Sequence, residues 1–170
     1  SIFRIPEQDF FKYDPGVKNE VEYLSNAYHE YTSGYATSLV RSTSEMLFEQ
    51  YCEKQDDIEW VYKNGDTGQQ YFSIVYLDSF NQWLFYADYI VMKKDGTVWI
   101  IETKGGEARG KDKNIDIHIE NKYNAFKTYA KEHSLHWGFV RDKDNQLYIN
   151  NTEFAHDMAD KHWVPLAQEF

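Results

Sequence analysis

Short runs of apolar residues, separated by polar and turn-forming residues, occupy the middle of the chain and recur within residues 135–149, and such runs predict β-strands. The expected strands cover residues 58–62, 71–77, 84–93, 97–104, 135–140 and 146–149. Turn-forming residues separate the first four, at Asn64-Gly65-Asp66, Asp78-Ser79 and Asp95-Gly96. The pattern therefore predicts a β-meander that is followed, after a break, by two further strands.

Apolar residues at helical spacing predict helices on either side of the meander. The expected helices cover residues 18–31, 42–54 and 117–132. In the third of them, Tyr123, Phe126 and Ala130 share one face, and a short closing helix broken by Pro165 is expected within residues 154–166. The order of helix, meander, helix and strand predicts an α/β fold in which helices flank a mixed β-sheet.

A length of 170 residues is sufficient for one domain with a substantial core. We divide this domain into a helical lead-in (residues 1–40), a core (41–150) and a closing segment (151–170). Three tryptophans at helix–sheet positions are expected in the buried interior and not as base-stacking platforms: Trp83, Trp99 and Trp137.

The composition limits the partners and the cell compartment. A net charge of −10 argues against free-standing nucleic-acid binding, so partner domains would supply most of the contact with a polymer. The single cysteine, Cys52, excludes an internal disulfide, fits a reducing cytoplasm and is expected to pack on a helix face. No apolar run approaches the roughly 18 residues of a membrane span, so we expect no membrane partner.

Charged residues interrupt the apolar pattern at the end of one predicted strand. Glu102 and Lys104 project to the same face, because side chains alternate along a strand, and Asp88 stands fourteen positions upstream of Glu102. An unpaired buried carboxylate is costly, so these charges need partners. Two carboxylates and an ammonium at a sheet edge can hold a hard divalent cation beside a phosphodiester. The simpler alternative is an ion pair of Lys104 with one of the two acids.

The turn between these two strands decides whether Asp88 and Glu102 meet. A two-residue loop would place Asp88 opposite Thr103 and turn Glu102 to the other face. A three-residue loop of residues 94–96, with Gly96 left-handed in a bulge, would place Asp88 opposite Glu102. The metal-site hypothesis requires this longer loop, which makes two further pairs: Ile90 with Ile100 and Met92 with Val98.

Three stretches of the chain together resemble a known nuclease family. They are Arg41-Ser42-x-x-Glu45-x-x-Phe48, residues 59–66 leading to Phe72-x-Ile74-x-Tyr76, and residues 87–91 followed by 101–105. This set resembles the PD-(D/E)xK nuclease superfamily, and more narrowly the C-terminal endonuclease domain of type III restriction subunits. Ala87 stands where the motif name has Pro, which is a backbone feature and not a ligand. The resemblance implies a restriction endonuclease-like fold within a longer, helicase-containing protein.

The resemblance also implies a metal site. Asp88 and Glu102 would hold Mg²⁺, or Mn²⁺ in its place, together with the backbone carbonyl of Thr103. The metal would lower the pKa of a bound water, and Lys104 would orient that water or stabilise the developing charge. Because the two acids would repel each other without metal, Asp88→Asn is expected to raise the stability of the metal-free protein.

The family pattern adds a helix carboxylate near the metal, as a water-mediated ligand or base. Glu45 is the first candidate, and Glu49, one turn later on the same face, is the second. The alternative for Glu45 is a capping box, Ser42-x-x-Glu45, in which it has no catalytic role.

Residues beyond the acidic pair have weaker expected roles. Lys111 and Lys122 are candidate contacts with the nucleic-acid backbone, although Lys122 is also explained as a solvated helix charge. Residues 105–112 nearly spell a phosphate-binding loop, but an Asp stands where a hydroxyl should bind Mg²⁺, so nucleotide binding is not expected. His133 and His136 lack further metal ligands and are expected at the surface.

These roles imply a Mg²⁺-dependent endonuclease that hydrolyses phosphodiester bonds of double-stranded DNA and leaves a 5′-phosphate. The expected partners are a helicase domain of the same protein and a modification subunit, and sequence choice would be made elsewhere. Two alternatives stay open: a nuclease for RNA or single strands, and a nuclease-like fold that serves as a non-catalytic docking or regulatory module.

Overall fold

The computed structural model describes residues 42–64, 72–78, 80–105 and 119–170 of the chain. The helices are α1 (Thr43–Glu53), α2 (Ile119–Glu132) and α3 (Leu166–Glu169). The strands are β1 (Ile58–Lys63), β2 (Ile74–Asp78), β3 (Asn81–Phe85), β4 (Tyr89–Lys93), β5 (Val98–Lys104), β6 (His136–Lys143), β7 (Gln146–Asn150) and β8 (Val164–Pro165). None of the helices in these ranges is long and apolar enough to cross a membrane. The lead-in expected at residues 1–40 lies outside the described ranges.

Six strands form one mixed sheet in the order β1-β4-β5-β6-β7-β8, and β2 and β3 pair separately as a hairpin. All neighbours in the sheet are antiparallel except β5 and β6. A parallel pair needs a crossover connection, and α2 lies in the segment between these two strands. The expected α/β fold, a mixed sheet with flanking helices, is confirmed.

The two long helices cover opposite faces of the sheet. Successive residues of a strand point to opposite sides, and each helix packs against a different one of two such residues on β5. On one face, Cys52 of α1 packs in a cluster with sheet residues that include Ile101. On the other face, Tyr123 and Phe126 of α2 pack with residues that include Ile100. Cys52 is therefore a buried packing residue, and the α2 aromatics share one face, as expected.

The loop between β4 and β5 has the longer of the two lengths considered. It consists of residues 94–96, and Gly96 lies in the left-handed region with a φ of 88°. The register pairs the residues expected for this loop: Ile90 with Ile100 and Met92 with Val98. Continued beyond the last pair of the ladder, the register sets Asp88 opposite Glu102. The prediction of a three-residue loop is confirmed.

The single strand expected over residues 84–93 is divided into β3 and β4, with a break before Asp88. Asn64 binds the backbone at this break. Its side-chain amide donates to the carbonyls of Phe72 (2.8 Å) and Ala87 (2.9 Å), and its backbone amide donates to the Asp88 carbonyl (2.8 Å). The Asn64 side chain thus binds backbone carbonyls that a neighbouring strand would otherwise bind. The β2–β3 hairpin is separate from the main sheet at this point.

The β2–β3 hairpin packs one face against α2. That face adds three residues to the buried core: Ile74, Tyr76 and Phe85. Three apolar residues of the opposite face are more than half exposed: Val75, Leu77 and Leu84. Trp83 is 48% exposed, so its expected place in the core is wrong, whereas Trp99 and Trp137 are buried as expected. The reason is that α2 packs mainly along β2 and its cover does not extend to Trp83 on β3.

The closing helix expected within residues 154–166 is wrong. The structure has turns before β8, and α3 begins only after Pro165. The side chains of Asp157 and Asp160 accept hydrogen bonds from the backbone amides two residues further on, at 2.8 and 2.9 Å. Such local bonds offer the backbone an alternative to helical pairing, which explains the turns.

Candidate active site

Asp88 lies directly after the break between β3 and β4, and two neighbouring strands contact its carboxylate. Oδ2 accepts hydrogen bonds from the backbone amide (2.8 Å) and the hydroxyl (2.7 Å) of Thr103 on β5. Oδ1 lies 3.4 Å from Nζ of Lys63 on β1. The carboxylate is therefore held in one orientation at the edge of the sheet.

Glu102 lies opposite Asp88 on β5, and the two carboxyl groups are hydrogen-bonded to each other. Burial first, and then the charge of Asp88, raise the pKa of Glu102 well above its ordinary range. Burial alone would also raise the pKa of Asp88, but the hydrogen bond with Glu102, the Lys63 charge and the two bonds described above lower it to about 2. Between about pH 2 and the raised pKa of Glu102, the pair therefore holds one proton, which the surroundings favour on Glu102.

Lys104 stands on the same face of β5 as Glu102, and its Nζ lies 3.8 Å from Glu102 Oε2. Its backbone carbonyl accepts a hydrogen bond from Ser44 Oγ (2.7 Å), which ties the end of β5 to the first turn of α1. The contact that the simpler explanation requires is therefore present, and it becomes a full ion pair above the raised pKa of Glu102, where that carboxyl group is ionised. It also places an ammonium group 3.8 Å from one acid of the pair.

Thr103 presents its backbone to the same site. Its amide points toward Asp88, and its carbonyl points to that side too, because both groups of one strand residue face the same neighbouring strand. Two carboxylates and a carbonyl are oxygen donors of the kind that Mg²⁺ and Mn²⁺ prefer. In the described ranges no three His, Cys, Asp or Glu side chains are grouped as a metal site.

Lys63, at the end of β1, belongs to the site although the sequence gives it no separate role. Its Nζ lies 3.3 Å from Glu45 Oε2 and 3.4 Å from Asp88 Oδ1, and 4.8 Å from the ring centroid of Tyr89. Burial lowers the pKa of Lys63, but the charges of Asp88 and Glu45 more than offset this and raise it, so the ammonium stays charged. A lysine at the end of an apolar strand is often simply solvated. The sequence alone therefore gives only weak evidence that Lys63 belongs to a site.

Glu45 contacts the site and also caps α1. Ser42 is the N-cap residue, and its Oγ lies 3.2 Å from both the amide nitrogen and Oε1 of Glu45. The other oxygen, Oε2, pairs with Lys63. Glu49, the second candidate, accepts a hydrogen bond from the Tyr89 hydroxyl (2.9 Å). Glu45 therefore contacts the N-cap residue of α1 through one oxygen, and its contact with Asp88 runs through Lys63.

Arg141 on β6 supports the end of β5 from the other side. It is 1% exposed and lies next to Lys104 in the parallel ladder. Its guanidinium donates to the carbonyls of Gly105 (3.0 Å) and His156 (2.7 Å) and lies 5.3 Å from the Trp163 ring centroid. These contacts fix the backbone immediately after Lys104. The sequence gives no local sign of this role, because the partners come from distant segments.

The remaining candidates have contacts of their own or lie outside the described ranges. Lys111 and most of the segment that resembles a phosphate-binding loop lie outside the described ranges. Lys122 on α2 has its Nζ 5.8 Å from the ring centroid of Tyr76. His133 and His136 each stack against an aromatic ring, at centroid distances of 4.1 and 4.8 Å. The structure therefore adds no support for a histidine metal pair.

Neither a comparison with models of known protein families nor one with curated protein sequences finds a match. The function of the site is therefore inferred from its own geometry and from the sequence motif.

Proposed function

We propose that this domain is a Mg²⁺-dependent endodeoxyribonuclease of the PD-(D/E)xK type. The observation that carries the proposal is the hydrogen-bonded pair of Asp88 and Glu102 with the Lys104 ammonium beside it. A buried and a partly buried carboxyl group in contact, with pKa values shifted in opposite directions, are typical of functional sites and unfavourable as a purely structural feature. The sequence motif suggests the reaction class, hydrolysis of a phosphodiester.

The residues of the site have distinct proposed roles. Asp88, Glu102 and the Thr103 carbonyl would hold the metal, which when bound would supply an activated water and offset charge on the phosphate. Lys104 would stabilise negative charge that develops on the phosphate oxygens, or orient the attacking water. The amide and hydroxyl of Thr103 keep the Asp88 carboxylate ionised and aimed at the site.

Metal binding at this pair requires that Glu102 lose its proton. Below the raised pKa of Glu102, each binding event therefore releases one proton. In that pH range the metal affinity should rise about tenfold for each pH unit. The site would thus bind metal better in mildly alkaline than in acidic solution.

The proposed substrate is double-stranded DNA, and the proposed partners are a helicase domain of the same protein and a modification subunit, in the cytoplasm. The net charge of −10 supports a dependence on partner domains for the grip on DNA. Metal-assisted hydrolysis acts on the backbone, so sequence choice would lie with those partners. RNA and single-stranded DNA are the alternative substrates.

Calorimetric titration with Mn²⁺ tests the metal site. The wild-type chain should bind at one site, with a heat that depends on the ionisation enthalpy of the buffer because a proton is released. Glu102→Gln should bind much more weakly. The matched control is Asp57→Asn, which removes an acid that pairs with Lys93 at the far end of β4. Equal binding by all three proteins would place the metal elsewhere, and no saturable binding by the wild type would remove the metal site from the proposal.

A second candidate function is protein docking. The exposed apolar residues of the β2–β3 hairpin favour it, together with Phe80 at the hairpin turn, which is fully exposed. A docking module has no reason to bind Mn²⁺ at Asp88 and Glu102, so the same titration separates the two candidates.

A further inference from the structure

The Lys63 ammonium lies between two carboxylates that come from different elements. Glu45 lies on α1, and Asp88 immediately precedes β4. The nearest oxygen of Glu45 is 3.3 Å from Lys63 Nζ, and the nearest oxygen of Asp88 is 3.4 Å from it. Only 14% of the Lys63 side chain is exposed, and its ammonium lies over the Tyr89 ring. A charge this far from solvent needs charged partners, and here both are present.

The contacts on either side of Lys63 restrict its partners. Oδ2 of Asp88 is occupied by the two donors of Thr103, which leaves Oδ1 for Lys63. Oε1 of Glu45 lies beside the Ser42 hydroxyl at the start of α1, which leaves Oε2 for Lys63. The ammonium therefore connects the start of α1 to Oδ1 of the Asp88 carboxylate.

We propose that Lys63 is a positioning residue for the nuclease site, and that Glu45 acts on Asp88 through Lys63 and not directly on a metal-bound water. The inference rests on the proposed nuclease function. Its physical content is that the pair Glu45–Lys63 works as one unit: Glu45 holds the ammonium in place, and the ammonium fixes the orientation of Asp88 Oδ1.

A double-mutant cycle tests this coupling by single-turnover cleavage of plasmid DNA at saturating Mg²⁺. Glu45→Gln and Lys63→Met should each lower the rate about 10- to 100-fold, as is usual for residues that orient metal ligands. The double variant should be no slower than the slower single variant, because both substitutions break the same connection. Lys63→Met keeps the apolar stem over Tyr89 and removes only the charge.

Lys93→Met is the matched control. Lys93 is also 14% exposed, pairs with Asp57 at 3.2 Å and lies over the Phe170 ring, but it stands at the opposite end of β4. Lys93→Met should lower the melting temperature, as Lys63→Met should, and it should leave the cleavage rate unchanged. All variants are assayed below the lowest melting temperature of the set. Lys63→Arg, which keeps the charge, should recover most of the rate lost in Lys63→Met, a recovery that a role in packing alone does not predict.

The outcomes separate this inference from the proposed function. If the wild type cleaves and the two single effects multiply in the double variant, Glu45 and Lys63 act independently and the inference is wrong while the nuclease function stands. If Lys63→Met cleaves as fast as Lys93→Met, Lys63 has no positioning role. If the wild type neither binds Mn²⁺ nor cleaves, the proposed function fails and the inference fails with it.

Discussion

The Glu102 carboxyl group donates a hydrogen bond to the Asp88 carboxylate across two neighbouring strands. The two acids have different surroundings: Asp88 has the donors of Thr103 and the charge of Lys63, while Glu102 is 5% exposed and faces the Asp88 charge. The repulsion between the two acids therefore raises the pKa of Glu102, while the pKa of Asp88 stays low. The structure replaces the symmetric repulsion expected from the sequence with an unequal pair.

Glu102 should make the stability of the metal-free domain fall as the pH rises. Because its folded-state pKa is raised above 4.5, the folded state binds the proton more tightly than the unfolded state. Its contribution to the free energy of unfolding therefore falls from about pH 4.5 up to the folded-state pKa and is constant above it. Glu102→Gln removes this titration and should be more stable than the wild type at neutral pH, by a margin that grows with pH up to the folded-state pKa of Glu102. Urea denaturation between pH 4 and pH 8, with a chelator present, measures this difference in stability. Parallel plots of stability against pH for the two proteins would count against a raised pKa for Glu102.

Asp88→Asn should lower the stability of the metal-free domain, in contrast to the expectation from sequence. Asparagine can keep the bonds to Thr103, but it leaves the buried Lys63 ammonium with one charged partner instead of two. The loss should be about 1–3 kcal/mol at pH 7. The folded-state pKa of Asp88 is depressed from 3.8 to about 2, so this contribution is present above pH 3.8 and disappears as the pH falls through about 2. Urea denaturation at pH 7 checks the sign, and a variant more stable than the wild type would contradict the contacts described for Asp88.

Asn64→Ala should weaken both the fold and the metal site. It removes the donors to the carbonyls of Phe72 and Ala87, and burying such groups without a partner costs about 1–3 kcal/mol. The backbone amide of residue 64 still donates to the Asp88 carbonyl, but the Ala87 carbonyl directly before Asp88 loses its donor, so the Mn²⁺ affinity should fall as well. Asn124→Ala, at an exposed position of α2, is the control for stability and should have little effect. A destabilised Asn64→Ala with wild-type Mn²⁺ affinity would show that Asn64 supports the fold but not the site.

Glu49→Gln should leave the cleavage rate close to that of the wild type, because Glu49 binds the Tyr89 hydroxyl while Glu45 pairs with Lys63. Single-turnover rates of the two glutamine variants rank the carboxylates directly. A larger loss for Glu49→Gln than for Glu45→Gln would reverse the assignment of the helix carboxylate.

The contacts that the sequence predicts correctly are those set by local features. The meeting of Asp88 and Glu102 depends on the length of one loop. The sequence allows two lengths, and the alternation of the flanking strands shows that only the three-residue loop brings the two acids together. The shared face of Tyr123 and Phe126 likewise follows from helical spacing within one segment.

The contacts that the sequence does not predict depend on segments far apart in the chain. Lys63 is a site residue only because α1 and the break before β4 bring two acids to it. Trp83 is apolar and lies in a strand, but whether it is covered depends on where α2 ends its packing. Arg141 is buried through contacts with Gly105 and with the turns of the closing segment. No local pattern distinguishes these residues from ordinary strand positions.

Cleavage of supercoiled plasmid DNA by the chain, with Mg²⁺ and with a chelator, tests the central claim most directly. The wild type should cleave only with Mg²⁺, and Lys104→Ala should be slower by on the order of 10²- to 10³-fold while still binding Mn²⁺, because Lys104 acts on charge that develops in the transition state. Lys93→Met serves as the lysine control and should cleave at the wild-type rate. Cleavage by Lys104→Ala at the wild-type rate, or cleavage by the wild type in the chelator, would contradict the proposed nuclease site.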